Sequence, residues 1–267
     1  MENNFDISDY KTELKNTWCP GCGYFGNLAA LQKALANLKI PPHNAVLSTG
    51  IGCSGRTAGY IDVYAMNGLH GRAIPFARGV KAENPDLTVV VVGGDGDLFS
   101  IGAQHLPHAV RSGADITVIM FDNHVYALTK GQTSPTTAKT VCEAHQKTDC
   151  NPPVDPLLDI LTFGANSRLF LAQGICSDVS HLTNIIEEGI KYKGFSFISI
   201  QSFCVSFNEK DWLKIIKENV YYLEPDSMVE LPDGERFPHD PSDWFKAVKI
   251  LKTPLGVKPY LGVIYKK

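Results

Sequence analysis

An acid and an amide, Asp95 and Asn123, each stand just beyond a strongly β-prone run, Leu87 to Val92 before the first and Ile116 to Phe121 before the second. One helix-sized segment separates the runs, so they read as neighbouring parallel strands whose carboxyl ends carry the pair. Open α/β sheets bind ligands there. Both residues offer hard oxygen ligands of the kind Mg²⁺ prefers, with phosphates and water completing the shell. The acid lies in G-G-D-G-D, Gly93 to Asp97, where loop N–H groups and a helix start can hold phosphate. The arrangement suggests a bound pyrophosphate. A lone G-D-G triplet reads more readily as a simple turn, and Asn123 in register is what argues for chemistry.

Cysteine supplies the second chemistry. Cys19 and Cys22 stand in W-C-P-G-C-G, Trp18 to Gly23, which leads into a run where Phe25, Leu28, Leu31, Leu35 and Leu38 recur at helical spacing. At a helix N-terminus, thiolate is favoured over thiol. A third cysteine, Cys53, lies in the glycine-rich loop G-I-G-C-S-G-R, Gly50 to Arg56, and a fourth, Cys204, follows a predicted strand, Phe195 to Gln201. Four thiolates suit zinc or an iron–sulfur cluster alike, because ligand type and number coincide. Cys142, Cys150 and Cys176 complete an odd total of seven. They are read as packed thiols, too widely spaced for a second cluster, and a metal or redox role is favoured over a disulfide framework.

Strands alternating with helices predict a doubly wound, mostly parallel sheet. After Pro41-Pro42, Ala45 to Thr49 reads as a strand, and L-H-G-R-A, Leu69 to Ala73, opens a helix ending near Asn84-Pro85. A helix from Phe99 to Ser112 is capped by Gly113, and His124 to Thr137 reads as a polar loop at the working edge. Asn151 to Pro156 is a turn, Arg168 to Ala172 a strand, and Ser177 the N-cap of a helix to Tyr192. Asp240-Pro241 has the signature of a helix start, with Trp244, Phe245, Val248 and Leu251 as its buried face. The tail to Lys267 is expected to lie over the core or a partner.

The 267 residues can bury a sizeable core. The reading is a single domain over 1–267, with a cluster-binding segment at about 17–56 and a C-terminal extension at about 205–267. A net charge of −3 and scattered Lys and Arg give no footprint for nucleic acid or anionic lipid. No apolar run approaches the ~18 residues of a membrane span, and Met1 to Lys15 is too polar for a secretory signal. The expected location is cytoplasmic.

The G-D-G of Gly94 to Gly96, followed one βα unit later by Asp122-Asn123, resembles the thiamine diphosphate motif. Together with W-C-P-G-C-G, G-I-G-C-S-G-R, L-H-G-R-A and L-T-K-G-Q-T-S-P-T, it makes the chain look like a β subunit of the 2-oxoacid:ferredoxin oxidoreductases. The likeness is nearest to the 2-oxoglutarate type and runs from about Trp18 to Thr137, with Cys204 beyond. It implies a thiamine diphosphate-binding fold, with Asp95, Asn123 and the main-chain carbonyl of Val125 as Mg²⁺ ligands. Cys19, Cys22, Cys53 and Cys204 would hold one 4Fe-4S cluster. Gly94, Gly96 and Asp97 would line the pyrophosphate, and Gly52, Ser54, His70, Ala127 and Leu128 would touch the rest of the cofactor. His70, Arg72 and Lys130 are the catalytic candidates, and Arg56, Leu128 and Lys130 would face the substrate or coenzyme A.

The implied reaction is coenzyme A-dependent oxidative decarboxylation of a 2-oxo acid to acyl-CoA and CO₂, reversible in principle, with electrons passed to ferredoxin. Thiamine enzymes also place a carboxylate against the aminopyrimidine ring. This length has room for the diphosphate-binding half only, so that group is expected from an α subunit in an αβ or α2β2 assembly. I-G-A-Q-H, Ile101 to His105, departs from the I-G-G-N-H of many members, and D-N replaces the frequent N-N pair. Neither change removes a ligand. Two alternatives stand beside this reading: a non-redox thiamine lyase or carboligase half, and an α/β binding protein with a structural four-cysteine zinc site.

Overall fold

The computed structural model describes residues 5–144, 150–209, 211–253 and 259–267. Eight strands form one sheet: β1 (Ala45–Thr49), β2 (Tyr64–Asn67), β3 (Thr88–Gly94), β4 (Ile116–Asp122), β7 (Leu169–Ile175), β8 (Phe195–Gln201), β9 (Tyr221–Leu223) and β12 (Tyr260–Lys266). Their order is β2-β1-β3-β4-β8-β7-β12-β9. Every neighbouring pair is parallel except β12 with β7. Two small antiparallel ribbons complete the strands, β5 (Val125–Tyr126) with β6 (Gln132–Thr133), and β10 (Met228–Glu230) with β11 (Arg236–Pro238).

The helices are α1 (Tyr24–Asn37), α2 (Ala73–Glu83), α3 (His105–Arg111), α4 (Lys139–Ala144), α5 (Pro156–Phe163), α6 (Val179–Lys191), α7 (Trp212–Asn219) and α8 (Trp244–Leu251). Strand period decides which helix packs where. Val89, Val91, Val118, Met120, Leu171 and Phe197 face one way and meet α2, α3, α5 and α8. Val90, Val92, Ile119, Phe121, Phe170 and Ile198 face the other and meet α1 and α6. Central strands buried on both faces are why the sequence shows continuous apolar runs there rather than alternation. Among the described residues, no helix is long and apolar enough to cross a membrane.

From β1 the chain turns outward to β2 on one side, and β3 then pairs on the other. The crevice at the carboxyl ends of β1 and β3 is therefore a topological switch point. Opposite Gly94 in the register is Phe121, so Asp95 and Asp122 emerge side by side.

Several expectations need correction. Phe25 is exposed, while Leu28, Leu31 and Leu35 are buried. The expected Phe99–Ser112 helix is broken into a π-turn, Asp97–Ile101, and the shorter α3, because the chain must first close around Gly71 and Gly102; Gly113 does take φ +57° beyond the helix end. The N-cap of α6 is Asp178 rather than Ser177, its carboxylate accepting from the His181 N–H. Asp240 caps only the turn at Ser242, and α8 starts after Asp243. Its buried residues are Ala247, Ile250 and Leu251, with Phe245 74% exposed. The tail does not lie over the core: β12 enters the sheet between β7 and β9. Cys142 and Cys150 are joined in a disulfide rather than packed as free thiols, whereas Cys176 is free and buried.

Gly26 shows how closely α1 is held. A Cβ there would stand 2.0 Å from the Cys176 carbonyl oxygen, a backbone atom that cannot swing aside. Gly26→Ala is expected to cost about 1–3 kcal/mol by overpacking. Exposed Gly79 inside α2 has nothing within 4 Å of such a Cβ, and Gly79→Ala should gain about 0.5–1 kcal/mol. Urea titrations of the two variants check this, and equal stabilities would refute the packing argument.

Candidate active site

Asp95 and Asp122, at the ends of β3 and β4, are 1% and 2% exposed. Thr136, reaching back from the segment after β6, donates its hydroxyl to Asp95 Oδ2 at 2.9 Å and to Asp122 Oδ1 at 3.1 Å. One hydroxyl carries one proton, so only one carboxylate can be served at a time. Burial, and then the charge of Asp122, push the Asp95 carboxyl up to about 6. His124, held at φ +58°, places Nδ1 3.3 Å from Asp122 Oδ1 and 3.2 Å from the Thr136 carbonyl, with Nε2 2.9 Å from Gln201 Oε1. Burial works against its imidazolium, but Asp122 and Asp95 outweigh it and raise the pKa above 6.5. Two buried carboxylates answered by one histidine are an environment that a divalent cation would neutralise.

Asn123 stands beside this pair, 4% exposed. Its side-chain oxygen accepts from the Val125 N–H at 3.2 Å, while the Val125 carbonyl accepts from Ala127. A carbonyl has two lone pairs, so both oxygens retain capacity for a cation.

An open cleft of about 480 Å³ lies over these residues at the switch point. Gly52, Cys53, Ser54, His70, Gly94, Gly96, Asp97, Asn123, Val125, Ala127 and Leu128 line it, so the structure brings the proposed cofactor residues together. It adds Tyr24, Ile51, Tyr126 and Thr129. Gly96 has no room for a side chain, since a Cβ would lie 2.2 Å from the Tyr126 ring, whose hydroxyl donates to the Gly96 carbonyl. Asp97 staples two walls: its Oδ1 accepts from the N–H groups of Ile51 (3.0 Å) and Gly71 (2.9 Å) and lies 2.8 Å from His70 Nδ1. Burial raises its pKa, against the lowering pull of those partners.

Of the catalytic and substrate candidates, three do not line the cleft. Arg72 places Nη1 2.9 Å from His105 Nε2. Arg56 donates to the Thr17 hydroxyl. Lys130 is exposed at φ +86° after the β5 turn.

Cys19, Cys22, Cys53 and Cys204 converge from both ends of the chain as free thiols. The Trp18 indole N–H donates to the Cys53 carbonyl at 2.8 Å, tying the first loop to the second. The Phe203 carbonyl accepts from the Gly23 N–H at 2.9 Å, tying the first to the last. Burial pushes the Cys22 thiol up to about 12, and the other three thiols raise it further. Cys53 is raised by burial, Cys204 and Cys19. At Cys22 burial outweighs the helix-start N–H of Tyr24, which pulls the other way as the helix position leads one to expect. Among the described residues, no three His, Cys, Asp or Glu are grouped closely enough to hold a single metal ion.

Thr136, His124, Gln201, Tyr24 and Asn208 were not singled out as site residues. Only the D-N-H run placed His124 beside a known candidate; the others converge from remote segments without a local motif.

Known proteins similar to this chain point the same way. Residues 50–200 match the thiamine pyrophosphate enzyme family, C-terminal TPP binding domain. The chain is 38% identical, over 97% of its own length and 80% of the relative, to the "2-oxoacid:ferredoxin oxidoreductase 1, subunit beta" of Aeropyrum pernix. It is 42% identical, over 94% and 81%, to the "2-oxoacid:ferredoxin oxidoreductase subunit beta" of Saccharolobus solfataricus. Among solved structures, a 2-oxoglutarate:ferredoxin oxidoreductase from Magnetococcus marinus, with 2-oxoglutarate, coenzyme A and succinyl-CoA bound, superposes with a TM-score of 0.88 at 36% identity, covering 99% of this chain and 86% of that one.

The buried pair makes stability depend on pH. A raised folded pKa contributes stability that is complete below the unfolded value and lost as pH rises through the folded one. For Asp95 the window runs from 3.8 to about 6, and for His124 it begins at 6.5. Metal-free protein should therefore lose stability as pH rises from about 4 through 6 and beyond 6.5, by about 1.4 kcal/mol for each tenfold difference in proton affinity between the folded and unfolded chain. Asp95→Asn should flatten the lower part. Urea titrations at stepped pH measure this, and an unchanged profile in the variant would falsify the assignment.

Proposed function

Because the chain belongs to the β subunits of the 2-oxoacid:ferredoxin oxidoreductases, we propose that it is the thiamine diphosphate- and cluster-bearing half of such an enzyme, acting on 2-oxoglutarate. The observation that carries this is convergence: the buried acids and Asn123, the glycine-lined cleft, and four free cysteines meet at one end of one sheet. On this reading Asp95, Asn123 and the Val125 carbonyl hold Mg²⁺, offsetting the burial and then the carboxylate repulsion that raise Asp95. The bare backbone at Gly94 admits the diphosphate, Gly96 lets the Tyr126 ring close against it, and Asp97 fixes the Ile51 and Gly71 walls. Cys19, Cys22, Cys53 and Cys204 hold one 4Fe-4S cluster. Four thiols within electrostatic reach of one another suit a cluster or a zinc ion alike, and the family likeness favours the cluster.

The coenzyme supplies a carbon nucleophile for the ketone of the 2-oxo acid and a sink for the electrons left when CO₂ departs. A low-potential cluster suits onward one-electron transfer to ferredoxin. This chain's residues position and exclude water. His70, oriented by Asp97, faces the cleft as a proton donor or acceptor, while Leu128 covers one side. Lys130 and Arg56, exposed and without an ion-paired acid among the described residues, are read as reaching coenzyme A phosphates from the rim, and Arg72 as a support through His105. The single-domain division, with a cluster segment at about 17–56 and an extension at about 205–267, belongs to this reading. So do an α partner in an αβ or α2β2 assembly, ferredoxin as acceptor and a cytoplasmic location.

Anaerobically purified chain should be brown and contain iron and sulfide, and Cys22→Ser should lose the colour. A colourless sample containing zinc would instead support the zinc-site alternative. Asp95→Asn should keep the colour but bind Mg²⁺–thiamine diphosphate at least about tenfold more weakly, or about 1.4 kcal/mol. Decarboxylation with reduction of an artificial acceptor should require the α subunit and favour 2-oxoglutarate over pyruvate and branched 2-oxo acids. Full turnover by the chain alone would sink the proposal.

A further inference from the structure

One side chain touches both halves of the site. Asn208 lies four residues beyond Cys204, and its own N–H donates to the Cys204 carbonyl at 3.0 Å, closing a turn. Its side-chain oxygen accepts from the Cys204 N–H at 2.6 Å, and its NH₂ donates to the Asn123 carbonyl at 2.9 Å. The amide's orientation follows from its partners. A main-chain N–H only donates and a carbonyl only accepts, so oxygen must face Cys204 and nitrogen must face Asn123. Asn123 is the residue whose side chain in turn holds the Val125 N–H. The amide is thus shared between the turn of one proposed cluster ligand and the peptide of a proposed Mg²⁺ ligand.

Resting on the reading of the site given above, we propose that Asn208 is a positioning residue that sets the cluster's potential and steadies the Mg²⁺-binding peptide together. Hydrogen bonds to the cluster sulfurs and local charge both tune a cluster's potential. By occupying the Cys204 N–H, the amide oxygen withholds that donor from sulfur and keeps the reduced, more negative cluster less stable. By donating to Asn123, the same amide satisfies a largely buried carbonyl that would otherwise lack this partner.

The test uses the full-length chain with its cluster, prepared anaerobically as wild type, Asn208→Ala and Asn208→Asp. Midpoint potentials come from EPR-monitored titration, and Mg²⁺–thiamine diphosphate binding from calorimetry. Asn208→Ala frees the Cys204 N–H and should raise the potential by about tenfold in the reduction equilibrium, about 59 mV for one electron. Asn208→Asp still accepts from that N–H but adds negative charge, and should lower the potential. Both lose the donor to Asn123, and both should bind Mg²⁺–thiamine diphosphate about tenfold more weakly.

Because the carboxylate of Asn208→Asp lowers the potential through its charge alone, the rise in Asn208→Ala is the decisive result, and a potential that does not rise there refutes the withheld donor and overturns the proposal. If Asn208→Ala fails to retain its cluster, Asn208→Leu, of similar volume and likewise without an acceptor, takes its place: a raised potential with weakened binding supports the proposal, and failure of either refutes it. A wild-type chain lacking a cluster's visible absorption and EPR signal overturns the reading beneath it instead.

Discussion

Two carboxylates buried side by side at the ends of β3 and β4 are the constraint around which this molecule is built. Burying an ionised acid without a compensating cation is expensive, and here the two groups compete for one threonine hydroxyl, while His124 stands against Asp122 and Ser134 against Asp95. The apolar strands make the burial unavoidable: Val92 and Phe121, just before the acids, are 0% exposed. A fold that only needed stability would place polar groups with full partners there. On the proposed reading a cation relieves this charge, and the glycines let Tyr126 and Asp97 close in around it.

The sheet also explains why distant segments meet. The Gly50–Ser54 loop leaves β1, Asp95 leaves β3, Asn123 leaves β4 and Cys204 follows β8, all at carboxyl ends. Parallel pairing delivers four loops to one edge, where antiparallel hairpins would have divided them between two. The amino-terminal cysteines are then fastened by contacts from outside the sheet, through Trp18 to Cys53 and Gly23 to Phe203. The close approach of Gly23 and Gly26 to Phe203 and Cys176 sets how near α1 can come.

Much of this was legible in the sequence, for physical reasons. The central strands announce themselves because burial on both faces leaves no polar alternation, and the glycine loops because only glycine leaves room against Tyr126 or Asp97. What was not legible depended on competition between neighbours or on partners far away. Asp178 and Asp243 displaced Ser177 and Asp240 as helix caps, although all four are good capping types. The strand role of Tyr260–Lys266 depends on an open edge of β7, which no local pattern reveals. Thr136 carries no motif, since its function comes from a proton that two carboxylates 41 and 14 residues away compete for.

On the proposed reading, the walls of the cleft leave a place for a second polypeptide. Among the residues lining it, Asp97 is the one carboxylate. Its Oδ1 is occupied by two N–H groups and His70. Its Oδ2 lies so close against Gly50 that a Cβ there would be 2.0 Å away. Asp95 and Asp122 are buried beneath and turned to Thr136. On the proposed reading, no acid of this wall is therefore free to meet an aminopyrimidine ring. Around the mouth, Ile51, Leu69, Ile101 and Leu128 leave between 41% and 69% of their surface exposed, which suits contact with protein more than with water. The chemistry that completes the coenzyme's environment and the surface that would be covered thus lie on the same side of the cleft.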